Sequence, residues 1–233
     1  VRVPARAIGS IAAPLIANAW ERNDIKLIKD IYIKSALNQL IFGGLIFLGI
    51  WLNIDDGLSF LPLQFQGGKL VVLFIAFSQL FNVATGVNGL IIVNSRYYKF
   101  DLYSNFILLC ITLYTNFIFI PESSPLSSYD IVGINGAAFA TALSVFLFNA
   151  IKMMFVYWKM GIQPFSIKTL YTLALLAIIY SLSNYIPVSG NVYFDLVWRS
   201  FYILALFVPT MLWLNLSEDI TKIIVDLKKK FGI

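Results

Sequence analysis

The chain has 233 residues, 59% hydrophobic and only 12% charged, with a formal net charge of +5 and a mean hydropathy of +0.81; soluble domains carry roughly 25% charged residues, so this is the composition of an integral membrane protein. One cysteine, Cys110, and no histidine exclude an internal disulfide, a histidine metal centre and a histidine proton relay. The basic residues fall between apolar runs, where they act as topology signals rather than as a nucleic-acid surface.

The chain opens VRVPARAIGSIAAPLIANAW. The apolar pattern is already under way at a first residue that is valine, so the expectation is a piece of a longer protein, with residues 1–20 the end of a span. Arg2 and Arg6 are four apart and share a helix face. With Trp20 at the membrane edge, Arg6 stands about 21 Å up the axis, inside a hydrocarbon layer about 30 Å thick. An arginine there costs roughly 2.5–3.5 kcal/mol and normally faces protein or water. Two readings stay open: a guanidinium grip on phosphate oxygens, or a span whose outer end lies near both arginines.

Residues 23–34 place Ile25, Ile28, Ile31 and Tyr32 on one stripe and Lys26, Lys29 and Asp30 elsewhere, a pattern that predicts an amphipathic helix along the membrane surface. Complete spans are then predicted at residues 35–54, 70–93, 105–120, 131–158, 170–186 and 196–216, each near the length of about 20 residues that a bilayer demands. The second of these carries Ser78, Asn82, Thr85 and Gly89 on one helical face, flanked by Gln79 and Asn88. Thr112 with Asn116, and Thr141 with Ser144, form similar faces on the next two. Each face reads either as the wall of a polar cavity or as packing through small, hydrogen-bonding residues. The run GINGAAFATALS reads as close helix packing, and Asp195 with Arg199, four apart, as an interfacial ion pair. Residues 217–233 form a basic amphipathic tail, with Ile220, Ile223, Ile224 and Leu227 on its apolar stripe.

Alternate loops differ in sign. Arg22, Lys26, Lys29, Lys34, Arg96, Lys99, Lys159, Lys168, Lys222 and the run Lys228, Lys229, Lys230 fall on one side, with Lys152 near the same level; Lys69 and Arg199 stand among Asp55, Asp56, Glu122, Asp130 and Asp195 on the other. The positive-inside rule makes the basic side, and with it the C-terminus, cytoplasmic. No complete span has an Asp or Glu at its middle, so no buried carboxylate is evident to carry protons or sodium. No phosphate loop occurs, and no nucleophile stands near a base. The reading is not an enzyme, with neither cofactor nor metal.

The stretches PARAIGSIAAPLIANAWERNDIKLIKDIYIKSALNQLIFGG, QLFNVATGVNGLIIVNSRYYKFDLYSN, TNFIFIP and GINGAAFATALSVFLFNAIK resemble the second half of bacterial polysaccharide biosynthesis proteins. These are the flippases of lipid-linked O-antigen, capsule or exopolysaccharide repeat units, within the multidrug/oligosaccharidyl-lipid/polysaccharide exporter superfamily. The resemblance implies an all-α polytopic bundle forming the C-terminal lobe of a two-lobed exporter, with six complete spans and the end of a seventh. It implies an undecaprenyl-diphosphate-linked oligosaccharide as substrate, polysaccharide polymerase machinery as a partner, and the bacterial inner membrane as the location. It also implies a diphosphate held by Arg6, with Arg2 beside it, while Ser78, Asn82, Thr85, Thr112 and Asn116 face sugar hydroxyls. The alternatives are a multidrug or cation exporter of the same superfamily and a membrane scaffold of polysaccharide assembly.

Overall fold

The computed structural model describes residues 2–183, 185–186 and 189–222, with backbone alone for residues 2–4. Among the described residues all regular structure is helical: α1 (Arg2–Glu21), α2 (Ile25–Leu52), α3 (Ile54–Ser59), α4 (Leu63–Gln66), α5 (Lys69–Ala84), α6 (Asn88–Val93), α7 (Lys99–Phe119), α8 (Gly133–Met160), α9 (Ile167–Ser183) and α10 (Val192–Trp213). Four of these, α2, α7, α8 and α10, are long and apolar enough to cross a membrane, and α5 and α9 are shorter apolar helices.

Local chemistry sets several boundaries. Asn23 takes a left-handed φ of 52° and Asp24 caps α2 by accepting a bond of 2.9 Å from the Leu27 N–H, so NDIK turns α1 back into α2. Gly161, at φ 67°, ends α8. Asn191 caps α10 by accepting from the Tyr193 and Phe194 N–H groups.

The predicted surface helix over residues 23–34 and the span after it are one unbroken 28-residue helix. Nothing between Lys34 and Ser35 breaks a helix, and Ile28 and Tyr32 are fully buried in the bundle rather than laid on a lipid surface. The amphipathic tail predicted over residues 217–233 lies outside the described residues from 223 onward; residues 218–222 are helical.

Helix α2 is the centre of the molecule. Its Ile28 and Tyr32 pack with Ala12, Ile16 and Ala19 of α1, Ile91 and Ile92 of α6 and Val156 of α8. Further along, Leu37, Ile41 and Leu48 pack with Leu175, Leu176 and Ile179 of α9 and Ile203, Phe207 and Met211 of α10. Half of α2's apolar window is buried inside the protein, against 11% for α7. A helix apolar all round belongs in the interior, whereas α7 turns Leu113, Phe117 and Phe106 outward, where a bilayer would meet them.

Within lipid, burying an apolar side chain against another helix gains little hydrophobic free energy, so close contact between backbones matters more. The small-residue run in α8 behaves in this way. A Cβ placed on Gly136 would fall on the Phe119 carbonyl, and Thr115 bonds the Ser144 hydroxyl at 2.9 Å across the same α7–α8 contact.

Glu21, Asn23, Arg96 and Lys159 surround one cavity at the ends of α1, α6 and α8, and Lys34, in the interior of α2, surrounds another with Lys168 and Glu218; this is the basic end. At the opposite end Arg199 pairs with Asp56 at 3.0 Å and also donates to the Leu52 carbonyl at 3.1 Å, while Lys69 pairs with Asp55. The predicted Asp195–Arg199 bond is not formed. Helix α3 brings Asp56 to Arg199, and the Asp195 carboxylate accepts instead from the Ser189 N–H and hydroxyl and the Gly190 N–H.

Candidate functional site: a broken helix beside a small polar cavity

The stretch predicted as one span over residues 70–93 is two helices, and the break between them is the most unusual feature of the interior. Helix α5 stops at Ala84, residues 85–87 form a turn, and α6 restarts at Asn88. Gly86 has φ 64°, a conformation costing an L-residue roughly 1–2 kcal/mol. A Cβ there would also meet the Ala36 Cβ at 2.9 Å. The turn is thus wedged against α2, and the four residues Ser78, Asn82, Thr85 and Gly89 do not form one continuous helical face.

Breaking a helix in an apolar setting leaves backbone groups that need partners. The Thr85 hydroxyl donates to the Asn82 carbonyl at 2.8 Å and lies 3.3 Å from Asn149 Oδ1 of α8, also as donor. Asn149 is itself held by donation to the Val145 carbonyl. Asn88, 5% exposed, has an amide nitrogen with no hydrogen-bond partner.

One turn along α8 from Asn149, Lys152 is buried. Its Nζ lies 2.6 Å from Asp101 Oδ1 in the first turn of α7, 4.3 Å from the centre of the Phe148 ring and 3.7 Å from the place where a Gly89 side chain would begin. Phe100 and Phe155, stacked with centroids 3.6 Å apart, clamp α7 to α8 next to this pair. A lysine is therefore held against the second half of the broken helix by one carboxylate and one aromatic face.

On the other side of the break is a cavity of about 310 Å³, lined by Ala5, Gly9, Gln39, Asn82, Gly86 and Gly89 among others. That is at the small end of ligand pockets, which run about 300–1,000 Å³. Among the described residues the side chains of Gln39 and Asn82 have no hydrogen-bond or ion-pair partner, although Gln39 is only 4% exposed. Two carboxamides therefore border this space with donors and acceptors uncommitted.

The residues expected to act together are only partly brought together. Asn82 lines the cavity, and Thr85 braces the break beside it. Ser78 is buried, donates to the Ile75 carbonyl and borders a different, largely aromatic cavity with Phe74, Phe77 and Phe139. Thr112 and Asn116 lie on α7 away from the break; Asn116 donates to the Thr112 carbonyl at 2.7 Å, an ordinary i to i−4 bond within its own helix. Arg6 is exposed on α1 between the lining residues Ala5 and Gly9, without lining the cavity itself, and has no ion-pair partner among the described residues. Arg2 begins α1, and its side chain lies outside the described residues.

Gln39, Asn88, Asn149, Lys152 and Asp101 were not marked as site residues by the sequence. Asp101 and Lys152 are 51 positions apart, and no local pattern joins them. Gln39 follows Asn38 at the start of a long apolar run, and that pair of carboxamides is the one signal that could have drawn attention to it. No group of three or more Cys, Asp and Glu side chains suited to a metal occurs among the described residues. Comparison with known protein families, curated proteins and solved structures finds no match to this chain.

Proposed function

We propose that the chain is a lobe of a transporter that moves lipid-linked oligosaccharide across a membrane, by exposing a polar interior site to each side in turn. One observation supports this most: the unpartnered Gln39 and Asn82 amides on a cavity at a helix break. A carboxamide offers both donor and acceptor, as a sugar hydroxyl requires. Irregular backbone inside a membrane is tolerated where it lines a cavity, and discontinuous helices mark substrate sites in transporters.

In this reading the shorter helices α5 and α9 also cross the bilayer, giving six complete spans after the partial first one. The lobe rocks against a second lobe, sugars meet Gln39 and Asn82, and the lipid tail stays in the bilayer. Arg6, adjacent to Ala5 on the cavity wall, supplies the cation for the diphosphate, and the basic end faces the cytoplasm of a bacterial inner membrane. A cation exporter is the weaker reading, because Asp101, the acid that reaches the lysine beside the break, is already neutralised by it.

The test is complementation of a strain lacking the gene, scored by surface glycan. Arg6→Ala and Asn82→Leu should each insert in the membrane at normal levels yet fail to restore the glycan. Full restoration by both variants would refute the proposed site.

A further inference from the structure

A cavity of about 650 Å³ at the basic end lies where α1 ends, α2 begins and the chain leaves α6 and α8. It shares no lining residue with the cavity at the helix break. Its wall carries Arg96, Lys159 and Glu21, with Trp20, Asn94 and Tyr97 between them. Two cations thus face one acid, and among the described residues neither Lys159 nor Glu21 has a side-chain partner.

Arg96 is held without being neutralised. It lies 4.9 Å from the centre of the Tyr97 ring and donates from Nη2 to the Tyr97 hydroxyl at 2.8 Å, leaving most of the guanidinium's five donors free. Trp20 is fixed by donation from Nε1 to the Ile91 carbonyl at 3.2 Å. Asn94 spends its amide nitrogen on the Leu90 carbonyl at 2.8 Å. The wall is therefore set by bonds that leave its positive charge unspent.

We infer that this cavity is a second binding site, for the phosphate-ester group of an anionic ligand, with Arg96 and Lys159 as its cationic contacts. A guanidinium fork matches phosphate oxygens and an ammonium adds a point charge. The cavity opens where the apolar helices end, which is the level of lipid headgroups. The same chemistry serves a lipid-borne diphosphate or a soluble phosphate ester. The site stands apart from the transport reading, since none of its residues borders the helix break.

The experiment is a binding titration of the purified full chain in detergent, with farnesyl diphosphate, inorganic pyrophosphate and uncharged farnesol as probes. Farnesyl diphosphate should bind saturably and weaken as salt rises. Arg96→Gln/Lys159→Gln should weaken it at least tenfold, and Glu21→Gln, which removes the opposing charge, should tighten it about threefold. The opposite signs separate loss of the site from loss of the fold. Pyrophosphate binding as tightly as farnesyl diphosphate would support the site and assign it to a soluble ester; weaker binding would support it and assign it to a lipid. Equal binding of farnesol, or an affinity unchanged in all these variants, would overturn the inference.

Discussion

Lys152 is held in the interior by a single carboxylate at 2.6 Å and the face of Phe148. Losing the acid strands a charge, and breaking a fully buried pair costs about 3–5 kcal/mol. The Asp101 side chain is 26% exposed, so water tempers the loss, and about 2–3 kcal/mol is the appropriate scale. Asp101→Asn should therefore lower the melting midpoint in detergent more than Lys152→Met does, because the stranded lysine is drier than the stranded aspartate. Asp101→Asn/Lys152→Met should recover most of the loss. A neutral Asp101→Asn would show that the pair contributes nothing to stability.

Gln39 behaves in the opposite way. Its side chain has no partner among the described residues and borders a cavity, so an apolar residue of similar shape there forfeits no hydrogen bond within the protein. Gln39→Leu should match or exceed wild type in thermal stability while losing transport. If the amide served only packing, its loss would lower stability and leave transport unchanged. The sequence placed Asn82 on a polar face, but not Asn116's return to its own helix or Gln39's arrival from another. Both depend on which helices become neighbours.

At the scale of the element, the break at residues 85–87 rests on Gly86. Alanine there must adopt φ 64°, at a cost of roughly 1–2 kcal/mol, and must also displace Ala36 at 2.9 Å. Gly86→Ala should reduce folded yield and melting midpoint by more than the backbone term alone. Adding Ala36→Gly should recover only part of the loss, because the Ala36 Cα and N would still lie 3.1 Å from the new Cβ, and size-exclusion and thermal melts of the two variants would resolve the difference. Hydropathy could not reveal this break. VATGVNGLII remains apolar through it, glycine is ordinary in membrane helices, and the turn is fixed by contact with α2. The close approach at Gly136 was legible, because small residues in series have few other uses in a membrane helix.

For the whole molecule, the alternation of basic and acidic loops survives in three dimensions as a bundle whose ends differ in charge. Its long apolar helices suit a bilayer, but the length rule alone marks α5 and α9 as short. If both cross, Lys69 and Lys99 lie on opposite sides, as do Lys159 and Asn191. In a Cys110→Ser background, Lys99→Cys and Lys159→Cys should react with an impermeant thiol reagent only after the cytoplasmic face is opened, and Lys69→Cys and Asn191→Cys should react in intact cells. Labelling of both members of either pair from one side would remove that crossing from the proposed topology. An apolar pattern can show which segments prefer lipid, whereas the charge pair and the uncommitted amides became visible only once the helices were packed.

Transport of a lipid-linked oligosaccharide would show first in the leaflet distribution of lipid-linked repeat units in cells lacking the gene. These should accumulate in the cytoplasmic leaflet while surface glycan is lost, and the wild-type gene should reverse both. Intact surface glycan with no accumulated intermediate would contradict transport.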